Sequence, residues 1–103
     1  MNIARWTTPS ISYKPSANAA ENIAEIYLVI KQRGVILIKK DQTSATINEE
    51  GAFVWEFAQG ETSVLEINTP ASIKVDYKTN DGKRYTTKIF STSVSDSAID
   101  EEI

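Results

Sequence analysis

The sequence predicts an all-β protein, a single sandwich of about seven antiparallel strands with at most one short helical turn. Two observations carry that prediction. Turn-forming residues recur at short intervals, and the segments between them are rich in Ile, Val, Thr, Tyr and Phe. Several segments also alternate apolar and polar residues, as strands with one buried face do. At 103 residues the chain has room for one domain with one modest core.

Seven segments are predicted to be strands. In chain order they are Ser10–Lys14, Glu25–Lys31, Val35–Lys40, Ser44–Asn48, Ala52–Phe57, Ser72–Thr79 and Lys83–Ser91. Short strands at this spacing are typical of an immunoglobulin-like or related sandwich. The N-terminal segment 1–9 and the acidic C-terminal tail 92–103 lie outside these strands. We expect both ends to be loose or to dock on a partner.

The hairpin that joins Glu25–Lys31 to Val35–Lys40 is apolar on both faces, because Val35 to Ile38 are all aliphatic. A three-residue loop, Gln32-Arg33-Gly34, would place Ile30 opposite Ile36 and Leu28 opposite Ile38. The predicted core face then comprises Ile26, Leu28, Ile30, Ile36 and Ile38. The second face comprises Tyr27, Val29, Val35 and Leu37.

That second face has two explanations. Four apolar side chains together form an exposed patch of the kind that usually contacts a partner. Alternatively, the chain's own ends, Met1 to Pro9 or Ser91 to Ile103, fold over it. The sequence leaves both open.

The fifth predicted strand supplies the centre of the core. Phe53, Trp55 and Phe57 lie on one side of it, and each can bury about 150–250 Å². The following segment, "QGETSVLEI", is compatible with one helical turn capped by Thr62 or Ser63.

The pattern of apolar and polar side chains predicts the register of the last hairpin, which joins Ser72–Thr79 to Lys83–Ser91. A two-residue loop would oppose Val75 to Lys88, whereas a three-residue loop, Asn80-Asp81-Gly82 with a left-handed glycine, separates apolar from polar residues. The three-residue loop predicts three opposed pairs: Tyr77 with Tyr85, Val75 with Thr87 and Ile73 with Ile89.

The composition leaves little catalytic chemistry. The chain contains neither cysteine nor histidine, so the usual ligands of zinc, copper and haem iron and the commonest general base are missing. No Walker loop, dinucleotide fingerprint or G-x-S-x-G elbow occurs. Glu49 and Glu50 adjoin at a turn, where a rigid catalytic pair is not expected. The sequence predicts no enzyme, no catalytic residue, no metal ligand and no cofactor.

Charge and hydropathy argue against several partners. The net charge is −3, and removing the four acids of the last eight residues leaves 11 basic against 10 acidic residues. A nearly neutral body gives no reason to expect nucleic acid or an anionic membrane surface. The longest apolar run, Val35 to Ile38, is far shorter than the roughly 20 residues of a membrane span. Met1 to Arg5 lack the apolar region of a secretory signal.

The acidic end "SDSAIDEEI" has two interpretations. Ile99 and Ile103 are four residues apart and would share one face of a short helix capped by Ser97. They would then form a docking segment that orders on a neighbouring subunit. The other interpretation is a frayed terminus.

Trp6 supports an alternative function. It precedes the first clear strand and is the aromatic residue most expected to be exposed. An exposed tryptophan suits sugar stacking in a small carbohydrate- or cell-surface-binding module. The aromatic residues of the fifth strand are better explained by the core.

Four segments also carry a family resemblance. "MNIARWTTPSISY" contains an Ile-x-Arg segment followed by Thr-Pro, and "IYLVIKQRGVILIKKD" is a tyrosine-led hairpin with a Gln-x-Gly turn. "FAQGETSVLEI" is similar to a Leu-Thr-Gln-Glu-Glu-Thr segment, and "DGKRYTTKIFSTSVSDSAIDEEI" is an Asp-Gly hairpin followed by an acidic terminus that ends in isoleucine. Together they resemble small proteins encoded among the virion structural genes of phages and prophages of Gram-positive bacteria. The chain departs from that pattern at Trp6 and at Gly60.

The resemblance implies a β-sandwich without enzymatic activity, and no catalytic residue carries over from it. It implies a structural or assembly protein whose partner is itself, as a homo-oligomer, or another virion protein. The expected location is the bacterial host cytoplasm during assembly or the virion. The expected contact residues are Tyr27, Val29, Val35 and Leu37, with Ile99 and Ile103 as a docking tail.

Overall fold

The computed structural model describes residues 2–15 and 19–103; Met1, the first residue of the predicted terminal segment, and residues 16–18 lie outside them. The described residues contain eight strands. They are β1 (Asn2–Ala4), β2 (Ser10–Tyr13), β3 (Ile23–Gln32), β4 (Val35–Asp41), β5 (Ala45–Ile47), β6 (Phe53–Glu56), β7 (Ala71–Thr79) and β8 (Arg84–Ser95). Single 3₁₀ turns cover Ala20–Asn22 and Gln42–Ser44, and one helical turn, α1, covers Gln59–Thr62.

The strands form two sheets that pack face to face. One has five strands in the order β1-β8-β7-β3-β4, and the other has three in the order β2-β6-β5. With β2, β6 and β5 taken as strands B, E and D, and β8, β7, β3 and β4 as G, F, C and C′, this is the strand order of an immunoglobulin-like sandwich. The predicted all-β sandwich is confirmed, and each of the seven predicted strands is present.

The eighth strand, β1, pairs parallel to the end of β8, with Ile3 opposite Val94. Both side chains are buried, at 1% and 3% exposure. Parts of the two predicted loose ends, 1–9 and 92–103, are therefore strands of the sheet. Three residues with one large apolar side chain, Ile3, give too short a pattern to identify β1 from sequence.

The core lies between the two sheets. Trp55 is fully buried at its centre and stacks on Phe53, with ring centroids 6.0 Å apart. The indole N–H of Trp55 donates a 3.0 Å hydrogen bond to the backbone oxygen of Asp41, so this large side chain is also satisfied as a donor. Phe57 is buried as well, which confirms the predicted aromatic centre.

The β7–β8 hairpin has the predicted three-residue loop. Tyr77 opposes Tyr85 and Val75 opposes Thr87, and Gly82 has φ +88°. The third predicted pair is wrong, because a bulge places Phe90 rather than Ile89 opposite Ile73. Phe90 and Ile89 both pack against the core.

The β3–β4 hairpin differs from the prediction. Gln32 pairs with Val35, so the loop has two residues, Arg33 and Gly34, both left-handed with φ +54° and +76°. This is the geometry of a type I′ turn, whose twist suits a hairpin. Gln32 is 3% exposed and continues the inward alternation of β3. It therefore belongs to the strand and not to the loop.

A β-bulge after the turn changes which β4 side chains point inward. Lys31 pairs with Ile36 and Ile30 pairs with Ile38, which leaves Leu37 as the extra residue. Ile38 is buried as predicted, but Ile36 is 52% exposed and its predicted place in the core is wrong. Leu37 instead packs against the core.

The helical turn α1 joins the two sheets. It follows Ala58, whose backbone N–H is bound by the Glu61 carboxylate at 2.8 Å. The predicted N-terminal cap at Thr62 or Ser63 is wrong, because Ala58 is the N-cap, Thr62 is the last helical residue and Ser63 is the C-cap. The Thr62 side chain is fully buried and donates to the backbone oxygen of Thr7 at 2.8 Å, which fixes the N-terminal segment to α1.

Candidate surface for protein contact

The outer face of the five-stranded sheet, the face turned away from the three-stranded sheet, has an apolar centre. Tyr27 and Val29 of β3 point outward between the buried residues of that strand, and both are partly exposed. Ile36 of β4 joins them because the two-residue turn pairs it with the outward-facing Lys31. Together with charged neighbours they line a hollow of about 290 Å³.

The outer face contains only part of the predicted contact set. Tyr27 and Val29 lie on it as expected. Val35 pairs with the inward-facing Gln32 next to the turn and is 57% exposed at that end of the hairpin. Leu37 packs against the core and contributes little to the surface. Ile36 takes its place.

Charged side chains surround this apolar centre. The registers of the four strands β3, β4, β7 and β8 place six basic residues on the outer face, Lys31, Lys39, Lys74, Lys78, Arg84 and Lys88. They place three carboxylates there, Glu25, Asp41 and Asp76. The face therefore has an excess of positive charge, although the whole chain is at −3.

The three carboxylates are already bonded within the protein. Asp76 accepts hydrogen bonds from Thr86 at 2.6 Å and Arg84 at 2.9 Å, and these bonds lower its pKa. Asp41 accepts hydrogen bonds from the Thr43 hydroxyl at 2.5 Å and from the Thr43 backbone N–H at 2.9 Å, and these bonds lower the pKa of Asp41.

Glu25 accepts a 2.9 Å hydrogen bond from the Tyr27 hydroxyl, which raises the pKa of Tyr27 because the carboxylate stabilises the protonated phenol. The Lys39 ammonium lies 4.8 Å from the centre of the Tyr27 ring. Tyr27 is thereby held between a carboxylate and an ammonium group, and its orientation on the face is fixed.

Neither described terminal segment covers this surface. β1 adds to the sheet beyond β8, at the edge opposite β4. The end of the chain turns toward Arg5 and Gln59 instead. Internal cover by the ends of the chain, one of the two sequence-based explanations, therefore finds no support among residues 2–9 and 91–103.

Residues 96–103, which we call the acidic segment, form no helix, so the predicted Ser97-capped helix is wrong. The Arg5 guanidinium pairs with Asp100 at 3.1 Å and with Asp96 at 3.7 Å. Gln59 exchanges two hydrogen bonds with the backbone of Ile103, at 2.8 and 3.2 Å. The segment lies along the domain, held by these contacts.

The two isoleucines of the acidic segment face solvent. Ile99 is 52% exposed and Ile103 is 89% exposed. Neither lies on a helix, and their role as a docking tail stays a prediction. The contacts that hold the segment come from its backbone and from Asp96 and Asp100.

Trp6 is not an open stacking platform. Its side chain is partly buried, in a turn where its φ is +64°. Its indole Nε1 is buried without a hydrogen-bond partner. Sugar stacking needs an accessible ring face with polar groups beside it; the partial burial of Trp6 limits the ring surface that it offers, and sugar stacking there stays a prediction.

Other regions offer weaker sites. A hollow of about 480 Å³ lies between residues 68–70 and 91–94, and its lining contains no charged or aromatic side chain.

Among the described residues, no group of three or more acidic side chains is placed to hold a metal ion. No helix in the described chain is long and apolar enough to span a membrane.

Sequence reasoning missed Ile36 and the basic surroundings of the hollow. The run of aliphatic residues in β4 offers no alternation from which to detect a bulge. A signal was present in the turn, since a two-residue loop ending in glycine is the commonest hairpin connection. With that loop, Gln32 would have been assigned to the inward face of β3 and not to the turn.

The sequence matches no protein-family model, and no curated protein sequence matches it significantly. Function is therefore argued from the exposed surfaces and their chemistry.

Proposed function

We propose that this chain is a non-enzymatic structural or assembly protein of a phage or prophage particle that acts through protein–protein contact at the outer face. The observation that carries the proposal is the apolar centre formed by Tyr27, Val29 and Ile36. It lies on the solvent side of a sheet whose other side already forms the core. Contiguous apolar surface with a polar rim is typical of a contact site.

The composition of the face favours protein as the partner. Interface centres are rich in tyrosine and aliphatic side chains, and their rims are polar. The hollow combines the partly exposed ring of Tyr27 with two aliphatic side chains and a charged border, and the buried Tyr77 completes its lining. A single partly exposed ring, already in contact with Lys39, gives a sugar little to stack on.

The particle setting rests on the resemblance to virion proteins. The observed sandwich is the fold that this resemblance implies, which supports the proposal. The protein would act in the bacterial host cytoplasm during assembly or within the virion, through self-association or through contact with another virion protein.

Light scattering over a wide concentration range tests self-association through the outer face. The variants Val29→Lys and Ile36→Lys each place a charge in the apolar centre. Ile47→Lys is the matched control, because Ile47 is 56% exposed, against 52% for Ile36, and lies on the other sheet. Circular dichroism would establish that all variants fold.

We expect the mean mass of the wild type and of Ile47→Lys to rise with concentration, while both outer-face variants remain monomeric. If the wild type is monomeric at every concentration, self-association is rejected as the mode of action. The same variants, tested against the products of the neighbouring virion genes, then decide whether another protein binds this face. Equal binding by Ile36→Lys and wild type would overturn that alternative too.

A further inference from the structure

The outer face contains two pairs of like charges directly opposite each other. Lys74 of β7 opposes Lys88 of β8, and Lys78 opposes Arg84. Like charges at opposed positions destabilise a sheet. Within residues 2–15 and 19–103, only Arg84 of these four forms an ion pair, with Asp76 at 2.9 Å. An anionic partner bound to the outer face would neutralise this excess of positive charge.

The acidic segment has the complementary composition. It contains four carboxylates and no basic residue, together with two exposed isoleucines. Glu101 and Glu102 are exposed and form no ion pair in the described structure, whereas Asp96 and Asp100 are held by Arg5. The outer face offers lysines and an apolar hollow, so both the charge and the apolar character of the two surfaces match.

The acidic segment does not reach the outer face of its own molecule. Gln59 and Arg5 hold it beside α1 and the N-terminal segment. The apolar hollow is lined by residues of β3, β4 and β7 and by Arg84 at the start of β8, whereas the acidic segment leaves the opposite end of β8, beside β1. Contact between the two surfaces therefore requires two molecules.

We infer that the outer face binds the acidic segment of a second copy of this chain, so that copies join head to tail. This inference rests on the proposed function and names the partner of that surface. Carboxylates of the segment, Glu101 and Glu102 foremost, pair with the lysines of β7 and β8. Ile103 or Ile99 enters the hollow lined by Tyr27, Val29 and Ile36.

Such a contact uses different surfaces on the two molecules. Each copy then retains one unused outer face and one unused acidic segment, so association continues into chains unless a ring closes. A segment of eight residues makes a small interface, below the roughly 1,200 Å² at which stable complexes begin. Association is therefore weak, and salt weakens it further because it depends on exposed charges.

A charge exchange between two variants tests the inference. The first variant, Lys74→Glu with Lys88→Glu, gives the outer face an acidic pair. The second, Glu101→Lys with Glu102→Lys, makes the segment basic without changing the residues that contact Arg5. The control, Glu49→Lys with Glu50→Lys, has the same charge change as the second variant at an exposed turn.

Sedimentation at low salt gives the readout. We expect the wild type and the control to associate, each of the two test variants to be monomeric alone, and their equimolar mixture to associate again. Re-association occurs because the basic segment of one variant now meets the acidic face of the other. Added salt should disperse the wild type and the mixture alike.

Two results would overturn the inference. If the Glu101→Lys, Glu102→Lys variant associates alone as well as the wild type does, the acidic segment is rejected as the partner. Contact through the outer face then stands if the Lys74→Glu, Lys88→Glu variant is still monomeric, and it is rejected as well if that variant also associates. If the wild type itself does not associate under any condition, both this inference and self-association as the proposed mode fail together.

Discussion

The side chain of Gln32 makes with Glu66 the pair of hydrogen bonds that a neighbouring strand would make. Gln32 Nε2 donates to the backbone oxygen of Glu66 at 2.8 Å, and Gln32 Oε1 accepts from the backbone N–H of Glu66 at 2.8 Å. Nε2 also donates to the backbone oxygen of Thr69 at 2.9 Å. These bonds fix the loop before β7 to the end of β3.

The substitution Gln32→Leu should destabilise the fold by about 2–3 kcal/mol, because it leaves three backbone groups of the loop without partners in a buried place. Urea unfolding followed by tryptophan fluorescence measures this. Gln59→Leu is the control, since its hydrogen bonds to Ile103 are exposed and should contribute less than about 0.5 kcal/mol. Equal losses for the two variants would contradict the role given to Gln32.

The substitution Arg33→Asn should stabilise the protein by up to about 1 kcal/mol. Arg33 has φ +54° in a two-residue turn, where asparagine is favoured and other side chains are strained. The lost ion pair with Glu66, at 3.4 Å between largely exposed side chains, contributes little. Arg33→Ala separates the two effects, because it loses the ion pair and keeps the strain. Thermal unfolding should rank asparagine above arginine and alanine below both.

The sandwich could be predicted because most strands show their buried faces in sequence. In β7, Ile73, Val75 and Tyr77 alternate with polar residues, and all three are buried. The Asn80-Asp81-Gly82 loop then fixed the register of β8 as far as the bulge. Where alternation and turn chemistry agree, the pairing follows from local sequence.

The outer face could not be predicted in full because β4 lacks alternation. All four residues from Val35 to Ile38 are aliphatic, so their own pattern does not show which of them point inward. What selects the register is a contact distant in sequence, the hydrogen bonds of Gln32 to the loop at Glu66. The basic surroundings of the hollow depend on that register and on the pairing of β7 with β8. Single-segment patterns do not contain that information.

The substitution Lys40→Met should cost about 1–3 kcal/mol. The Lys40 ammonium is 2.8 Å from the Glu61 carboxylate, 3.1 Å from the backbone oxygen of Glu56 and 4.9 Å from the centre of the Phe57 ring. The Lys40 side chain is only 11% exposed. The Glu61 carboxylate and the backbone oxygen of Glu56 would therefore lose a bond that water replaces only in part. Lys14→Met, at an exposed position, should leave urea stability unchanged.

The same variant should raise the pKa of Glu61. Burial raises this pKa, but the hydrogen bonds from Lys40 and from the Ala58 backbone outweigh burial, and the net shift is downward. Removing the ammonium leaves burial opposed only by the backbone bond. A carboxyl-detected NMR titration of wild type and Lys40→Met measures the change, and an unchanged pKa would contradict the contact.

Stability should fall on acidification below about pH 5. The hydrogen bond from Thr86 and the pairing with Arg84 lower the pKa of Asp76, and the hydrogen bond from Thr79 lowers the pKa of Asp81. A carboxylate with a lowered folded-state pKa stabilises the fold above its unfolded pKa of about 3.9, and this contribution disappears as pH falls through the folded value.

Thr86→Val isolates one of these contributions, because it removes a hydrogen bond to Asp76 and retains a good strand residue. Urea unfolding at a series of acidic pH values should show a shallower loss of stability for Thr86→Val than for the wild type. Identical slopes would show that this bond does not couple folding to the ionisation of Asp76.

The adjacent residues Ile36 and Leu37 of β4 should differ in how much a lysine substitution lowers the stability of the fold. Leu37→Lys should destabilise by about 1–2 kcal/mol because Leu37 packs against the core. Ile36→Lys should change stability by no more than about 0.5 kcal/mol, since Ile36 is 52% exposed on the outer face. A three-residue turn would reverse this order, with Ile36 in the core and Leu37 outside. Urea midpoints of the two variants therefore decide between the observed bulge and the register expected from the aliphatic run.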